Sequence, residues 1–133
     1  MGGPAGRTTG HVSASWDILP TFVDLAGGAP PSGIDGISML PVLLGRPLDQ
    51  PRHTSLYWEL GRRQAVRSGD WKLVRQTDKQ DATTTFLFNL RTDLGEQDNL
   101  ADRYPRILRQ MLSLARRLRT PSDVFPSVYD DGR

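Results

Sequence analysis

The first half of the chain alternates short apolar stretches with connectors rich in glycine and proline. Residues 15–27 carry apolar side chains at the three- and four-residue spacing of one helix face, so this stretch is predicted to be helical. Ser15 or Asp17 can cap its start. A shorter helix is predicted over residues 38–45 and ends at Gly45. The apolar positions of the first helix are Trp16, Leu19, Phe22, Val23 and Ala26.

From Ser55 the pattern changes from helical spacing to stretches of strand-forming residues separated by turns. This predicts an antiparallel meander of about four strands. Trp71, Leu73 and Arg75 are expected on one face of the third strand, because side chains alternate along a strand. Phe86 and Phe88 are expected together on one face of the fourth. The predicted strands cover residues 55–60, 64–68, 71–76 and 85–90.

A closing helix is predicted over residues 104–119, because apolar side chains there form one stripe and the arginines fall largely on other sides. The segment after Thr120 has two prolines and no periodicity, so we expect it to be loose. The fold class is therefore α+β, a small antiparallel sheet packed with a C-terminal helix and preceded by helical segments. The apolar stripe comprises Tyr104, Ile107, Leu108, Met111, Ala115 and Leu118.

Composition narrows the chemistry. The chain has no cysteine, which excludes disulfides, thiolate metal sites and a cysteine nucleophile. No apolar run approaches the roughly 18 residues that span a bilayer, and MGGPAGRTTGHV lacks the apolar core of a secretory signal. We therefore expect no membrane span. A net charge of +2 is a weak field, so no nucleic-acid partner is expected.

Four motifs occur in order: WDILPTFVDLAG, GIDGISMLPVLLG, LYWELGRRQAVRSGDWKLV and LFNLRTDLGEQDNLAD. Together they resemble the carboxy-terminal portion of the type I, arylsulfatase-like sulfatases of the alkaline-phosphatase superfamily. The resemblance implies that residues 1–50 are a remnant of the end of the catalytic domain. It implies a C-terminal subdomain of meander plus helix at 51–120, before a loose tail at 121–133. Most matched positions, such as Gly36, Asp93 and Asn99, suit turns, caps and core packing.

In this family the nucleophile is formylglycine, made from the first residue of C/S-x-P-x-R, and calcium polarises the sulfuryl group. The chain has no cysteine, and none of its serines begins S-x-P-x-R. The calcium ligands and the catalytic Lys and His residues of the family are expected upstream. The isolated chain is therefore predicted to be inactive, with no catalytic or metal-binding residue and no cofactor of its own, while calcium and formylglycine belong to the parent enzyme. An exposed apolar face on the first helix would lead it to bind a sulfatase catalytic domain or to self-associate.

Five residues are candidates for the border of the substrate cleft: His53, Trp58, Glu59, Arg67 and Lys72. The competing interpretation makes His53 a connector residue and the aromatic strand part of the core.

A second set, Arg62, Arg63, Arg67 and Lys72, could attract a sulfated anion, although a solvated basic face is the favoured interpretation. Its functional alternative is an autonomous anion- or glycan-binding module. A third alternative is a truncated product with no separate function.

Overall fold

The computed structural model describes residues 5–129. The chain divides into two compact units, Met1–His53 and Thr54–Arg133. The first unit holds a 3-10 turn at Ser15–Asp17, helix α1 at Ile18–Leu25, helix α2 at Leu40–Leu43 and a 3-10 turn at Pro47–Asp49. The second unit holds strands β1 at Leu56–Leu60, β2 at Arg63–Ser68, β3 at Trp71–Thr77 and β4 at Thr83–Asn89, followed by helix α3 at Pro105–Leu118. The predicted α+β class is confirmed.

The first unit is organised around polar side chains. Its most buried residues include Asp17, Thr21 and Gln50. The Thr21 hydroxyl donates to the carbonyl of Asp17 at 2.6 Å and accepts the backbone N–H of Met39 at 2.9 Å. The Gln50 amide accepts the N–H of Val42 at 3.1 Å and donates to the carbonyl of Ser38 at 2.8 Å. These bonds tie α1, α2 and the following turn together without a cluster of buried apolar side chains.

Helix α1 turns apolar side chains outward. Phe22 and Leu25 are 65% and 63% exposed, and Ile18 and Leu19 are also exposed. The buried side of the helix is instead formed by Pro20 and Thr21. The exposure expected of the first helix is therefore present, because its apolar stripe lies away from the polar interior of the unit.

Gly36 allows two segments of the first unit to approach each other. A Cβ at this position would lie 2.2 Å from the Trp16 carbonyl oxygen and 3.1 Å from Cγ of Pro20. The glycine is needed for space, because its φ is not in the left-handed region. Gly45, which ends the segment after α2, does have a φ of 79°.

The sheet is a meander of strand order β1-β2-β3-β4, antiparallel throughout. Register places Val66 opposite Leu73 and Leu73 opposite Leu87, and these three side chains are fully buried on one face. Met111 and Ala115 of α3 complete this core, with Trp71 and Ile107 at its margin. We call this the helix-packed face. The prediction that Trp71 and Leu73 share one face of β3 is confirmed, and α3 packs on that face.

In the segment between β4 and α3, side-chain oxygens accept hydrogen bonds from backbone N–H groups. The Asp93 carboxylate accepts the N–H groups of Gln97 and Asp98, at 2.8 and 2.9 Å. The Asn99 side chain accepts the N–H of Leu87 at 3.0 Å. These contacts confirm the turn-forming roles predicted for Asp93 and Asn99.

The segment after Thr120, expected to be loose, is anchored at Tyr129. This side chain is 5% exposed, and its hydroxyl lies 2.7 Å from the Arg62 carbonyl and 3.1 Å from the Arg75 carbonyl. The Arg75 guanidinium lies 4.4 Å from the centre of the Tyr129 ring. The ring and the hydroxyl of Tyr129 thus hold this segment against the sheet. The segment has no periodicity from which this contact could be predicted.

Candidate functional site

The candidate cleft-border residues of the second unit lie on two faces of the sheet. In the second unit, Trp58, Arg67 and Lys72 lie on the face of the sheet opposite α3, where Arg67 and Lys72 are direct cross-strand partners. Glu59 points to the helix-packed face, because it follows Trp58 on the same strand. His53 belongs to the first unit. The sequence could not separate these residues, since the sheet register decides which side chains meet.

Glu59 is bound within a polar network on the helix-packed face. Its carboxylate accepts hydrogen bonds from the Tyr57 hydroxyl and from Nε of Arg119, the latter at 3.2 Å. The Gln64 amide donates to the Tyr57 oxygen at 3.1 Å. The side chains of Arg119 and Glu59 are 8% and 19% exposed. Glu59 therefore joins β1 to the residue that follows α3, which is a structural role.

Burial, and after it the hydrogen bond to the Glu59 carboxylate, raise the pKa of Tyr57 to about 12. Both causes oppose the phenolate, because a buried negative charge beside a carboxylate is poorly solvated and repelled. The Gln64 donor and the nearby charge of Arg119 act in the opposite direction and are outweighed.

We expect one tyrosine of the chain to ionise near pH 12 instead of pH 10 in a spectrophotometric titration. Tyr57→Phe should remove this step, and Glu59→Gln should move it to lower pH without abolishing it, since burial remains. Tyr104→Phe is the matched control and should leave the step in place. Far-UV circular dichroism on the same samples distinguishes ionisation from unfolding. A step that persists in Tyr57→Phe would show that another tyrosine carries it.

His53 forms a buried pair with Asp17 inside the first unit. Its Nε2 lies 2.9 Å from both carboxylate oxygens, and the two side chains are 9% and 0% exposed. A carboxylate only accepts hydrogen bonds, so Nε2 must carry the proton. His53 is therefore hydrogen-bonded to a residue 36 positions away in sequence. No local sequence pattern predicts this contact.

Asp17 receives two further hydrogen bonds, from the N–H groups of Ala14 at 2.8 Å and Ile37 at 2.9 Å. Burial by itself would raise the pKa of this carboxyl. The hydrogen bonds from Ala14, Ile37 and His53, with the charge of His53, outweigh burial and hold the pKa below its ordinary value of 3.8. The carboxylate is therefore the electrostatic centre of the first unit.

The basic residues expected to attract an anion are partly neutralised by acidic partners. Lys72 pairs with Glu96 at 2.5 Å. Arg62 pairs with Asp81 and donates to the Asp78 carbonyl at 2.6 Å. Only Arg63 and Arg67 of the set have no acidic partner among residues 5–129. The predicted patch is thus reduced to two guanidinium groups.

A different basic surface lies along α3, whose arginines the sequence places largely on sides other than the apolar stripe. A groove of about 730 Å³ is lined by Arg106, Arg109 and Arg117, with Trp71 at one side. The arginines are spaced by three and then eight residues, which places all three near one side of a helix. This spacing is the feature of the sequence that indicates the surface. We call this the α3 groove.

Calcium takes six to eight oxygen ligands, several of them carboxylates. Among residues 5–129, no three His, Cys, Asp or Glu side chains come together in a group that could hold a metal. Over the same residues, no helix is both long and apolar enough to cross a bilayer.

Comparison with known proteins connects these features to a class. No protein-family profile matches the chain. Bovine (Bos taurus) arylsulfatase A is 30% identical, over 93% of this chain and 29% of its own length. The N-acetylglucosamine-6-O-sulfatase of Bacteroides thetaiotaomicron is 28% identical over 72% of this chain and 19% of its own. Arylsulfatase K of Danio rerio is 27% identical over 85% of this chain and 23% of its own length. The chain therefore spans less than a third of the length of these relatives.

Solved structures show the same fold. BT4656, solved in complex with its substrate D-glucosamine-2-N,6-O-disulfate, superposes with a TM-score of 0.67 at 25% identity, over 87% of this chain and 26% of that protein. The phosphonate monoester hydrolase of Agrobacterium radiobacter superposes with a TM-score of 0.60 at 21% identity, over 85% of this chain and 27% of that protein.

The fold and the relatives together define the class as sulfatase-like. Within it, this chain is a carboxy-terminal sulfatase-like portion, which confirms the resemblance carried by the four motifs.

Proposed function

We propose that this chain completes a sulfatase-type hydrolase and is not catalytic by itself. The catalytic domain would supply formylglycine and calcium, and the whole enzyme would hydrolyse a sulfate ester to an alcohol and sulfate. This chain would bind that domain through α1 and shape the border of its cleft through the second unit. The observation that carries the proposal is that α1 exposes its apolar side chains, while the buried residues of the first unit are largely polar.

Burial energetics support docking at α1. Large apolar side chains are exposed at Ile18, Leu19, Phe22 and Leu25, within two turns of one helix. Covering a side chain of the size of leucine or phenylalanine contributes about 1.5–3 kcal/mol. Four such side chains are enough to favour association with an apolar surface. The sulfatase relatives are several times longer than this chain and have room for such a surface.

The missing chemistry supports the non-catalytic half of the proposal. The chain contains no C/S-x-P-x-R sequence from which formylglycine could be made. His53 and Glu59, two candidate border residues, are occupied by Asp17 and by Tyr57 with Arg119. Trp58 and Arg67 remain the candidates for contact with a substrate, because they share the face of the sheet away from α3.

The test is an exchange in a relative of known activity. The corresponding carboxy-terminal portion of the B. thetaiotaomicron N-acetylglucosamine-6-O-sulfatase is replaced by this chain, and sulfate release is measured. We expect the chimera to be active and Phe22→Ser within it to lower activity about tenfold or more, the equivalent of about 1.4 kcal/mol of lost docking. The matched control is Leu94→Ser, since Leu94 is a large apolar residue outside α1 that is 81% exposed, against 65% for Phe22.

Two results would contradict the proposal. Sulfatase activity in the isolated chain would contradict its non-catalytic part. Equal activity of the Phe22→Ser and Leu94→Ser chimeras would contradict docking through α1.

The autonomous anion-binding module remains the second candidate. Its support is the pair Arg63 and Arg67, which have no acidic partner in the described part of the chain. The other two basic residues predicted for this site, Arg62 and Lys72, are paired with acidic side chains, which reduces their attraction for an anion. A salt-dependent titration with a sulfated glycan, repeated with Arg67→Ala, tests this alternative directly.

A further inference from the structure

We propose that the α3 groove binds a sulfated polysaccharide chain. This goes beyond the proposed function, because the groove lies on α3 and does not involve the α1 surface. The inference rests on three features: the charge of the groove, the distance along α3 over which its arginines are spread, and its single aromatic side chain among the described lining residues.

Charge in the α3 groove has one sign. Arg106, Arg109 and Arg117 are exposed and line it, and none of its lining residues is acidic within the described chain. No ion pair engages these three arginines among residues 5–129. Within the described part of the chain, the one hydrogen bond given by these three arginines runs from Arg117 to the Ser113 hydroxyl at 3.1 Å, a neutral acceptor. The guanidinium groups are therefore available to anions, which they bind through paired N–H donors.

The form of the groove suits a chain more than a single ion. Arg106 and Arg117 are separated by eleven residues, which is roughly 16 Å along a helix at 1.5 Å per residue. One sulfate group cannot contact both ends of such a stretch. A polymer that carries a sulfate on successive units can, and each additional contact then occurs at high effective concentration.

The remaining lining favours a sugar over a nucleic acid. Trp71 is half-buried and packs against the Tyr104 ring at a centroid distance of 5.3 Å, so it presents one apolar wall instead of a series of stacking platforms. Gln110 adds a neutral hydrogen-bonding group. Single-stranded nucleic acids are bound by several aromatic platforms on which successive bases stack, and the groove has one aromatic side chain among its described lining residues.

The experiment measures binding of the whole chain to dextran sulfate, with neutral dextran and a single-stranded DNA oligonucleotide as the other probes. Two triple variants remove the same charge. One is Arg106→Gln, Arg109→Gln and Arg117→Gln in the α3 groove. The matched control is Arg62→Gln, Arg63→Gln and Arg67→Gln on the first hairpin. Thermal unfolding by circular dichroism verifies that both variants fold.

We expect the groove variant to weaken the Kd for dextran sulfate at least tenfold and the hairpin variant to change it less than threefold. Neutral dextran should not bind, and DNA should bind at least tenfold more weakly than dextran sulfate. Equal losses in the two variants would mean non-specific charge attraction and would overturn the proposal. A larger loss in the hairpin variant would move the site to the first hairpin and overturn it too. DNA bound as tightly as dextran sulfate would overturn the assignment to a glycan.

Tryptophan fluorescence locates the ligand independently of charge. Dextran sulfate should change the emission of the native chain, because Trp71 lines the groove. In Trp71→Phe, binding should persist within about threefold while the emission change is lost. An unchanged emission response in Trp71→Phe would place the ligand elsewhere and overturn the site.

Discussion

Asp17→Ala is expected to unfold the first unit while leaving the sheet intact. The substitution removes a fully buried acceptor of three hydrogen bonds, from Ala14, Ile37 and His53, and leaves these partly buried donors without it. Breaking a buried pair by removing one member costs about 3–5 kcal/mol. The unit has few buried apolar side chains to offset this loss. Amide hydrogen exchange at Ala14 and Ile37 reports the result, because both N–H groups bond directly to the carboxylate.

Asp24→Ala is the matched control for this prediction. Asp24 also lies in the first unit and accepts a hydrogen bond, but only one, from the Ser38 hydroxyl at 2.7 Å. Its removal should cost about 1 kcal/mol, the usual net contribution of one hydrogen bond. Equal exchange rates in the two variants, or protection retained in Asp17→Ala, would show that the carboxylate is not what holds the unit.

The same carboxylate gives the first unit a pH dependence of definite sign. The pKa of Asp17 is lowered in the folded chain, so the folded state binds a proton less readily than the unfolded one. Its contribution to stability is therefore complete above the unfolded pKa near 3.8 and is lost as pH falls through the lower folded pKa. Protection of the Ala14 and Ile37 amides should decrease below about pH 4. Asp17→Asn should lack this acid dependence.

The sheet and the closing helix were predictable because their signals are local. The turn at Gly69-Asp70 marks the register of β2 and β3, and the alternation around Leu73 identifies the buried face. The stripe that includes Met111 predicts both the helix and the side that it packs. Each of these signals lies within a few residues of the position that it determines, so periodicity is sufficient.

The polar contacts could not be predicted in the same way. Asp17 meets Ile37 and His53 across 20 and 36 residues, and Glu59 meets Arg119 across 60. Nothing in the local pattern distinguishes a carboxylate that will be buried from one that remains solvated. His53 and Glu59 therefore became cleft candidates for their chemistry alone, although the fold gives each of them a partner.

The first helix shows that an apolar stripe does not always face the interior of the unit that carries it. The apolar spacing through Leu19 and Phe22 predicts the helix, yet these side chains are exposed and Asp17 and Thr21 are buried. A hydrophobic stripe identifies the side of a helix that needs covering. It does not identify whether this unit or another surface covers it. This difference is the physical basis for the docking proposed at α1.

Leu73→Ala is expected to lower the free energy of unfolding of the second unit by about 2–5 kcal/mol. Leu73 is fully buried between Val66 and Leu87 on the helix-packed face, beneath Met111 of α3. Truncation removes its contacts and leaves a cavity that three strands cannot close without a change of register. Urea unfolding monitored by circular dichroism measures the loss.

Leu60→Ala is the matched control, because Leu60 is a strand leucine that is 85% exposed. Its truncation should change stability by less than about 0.5 kcal/mol, as exposed substitutions do. A loss in Leu73→Ala no larger than this would mean that α3 does not seal the core. In that case the α3 groove would also lose its rigid support, since Met111 and Trp71 connect the two. A large loss confined to Leu73→Ala instead supports a second unit that is rigid enough to hold the three groove arginines in a fixed arrangement.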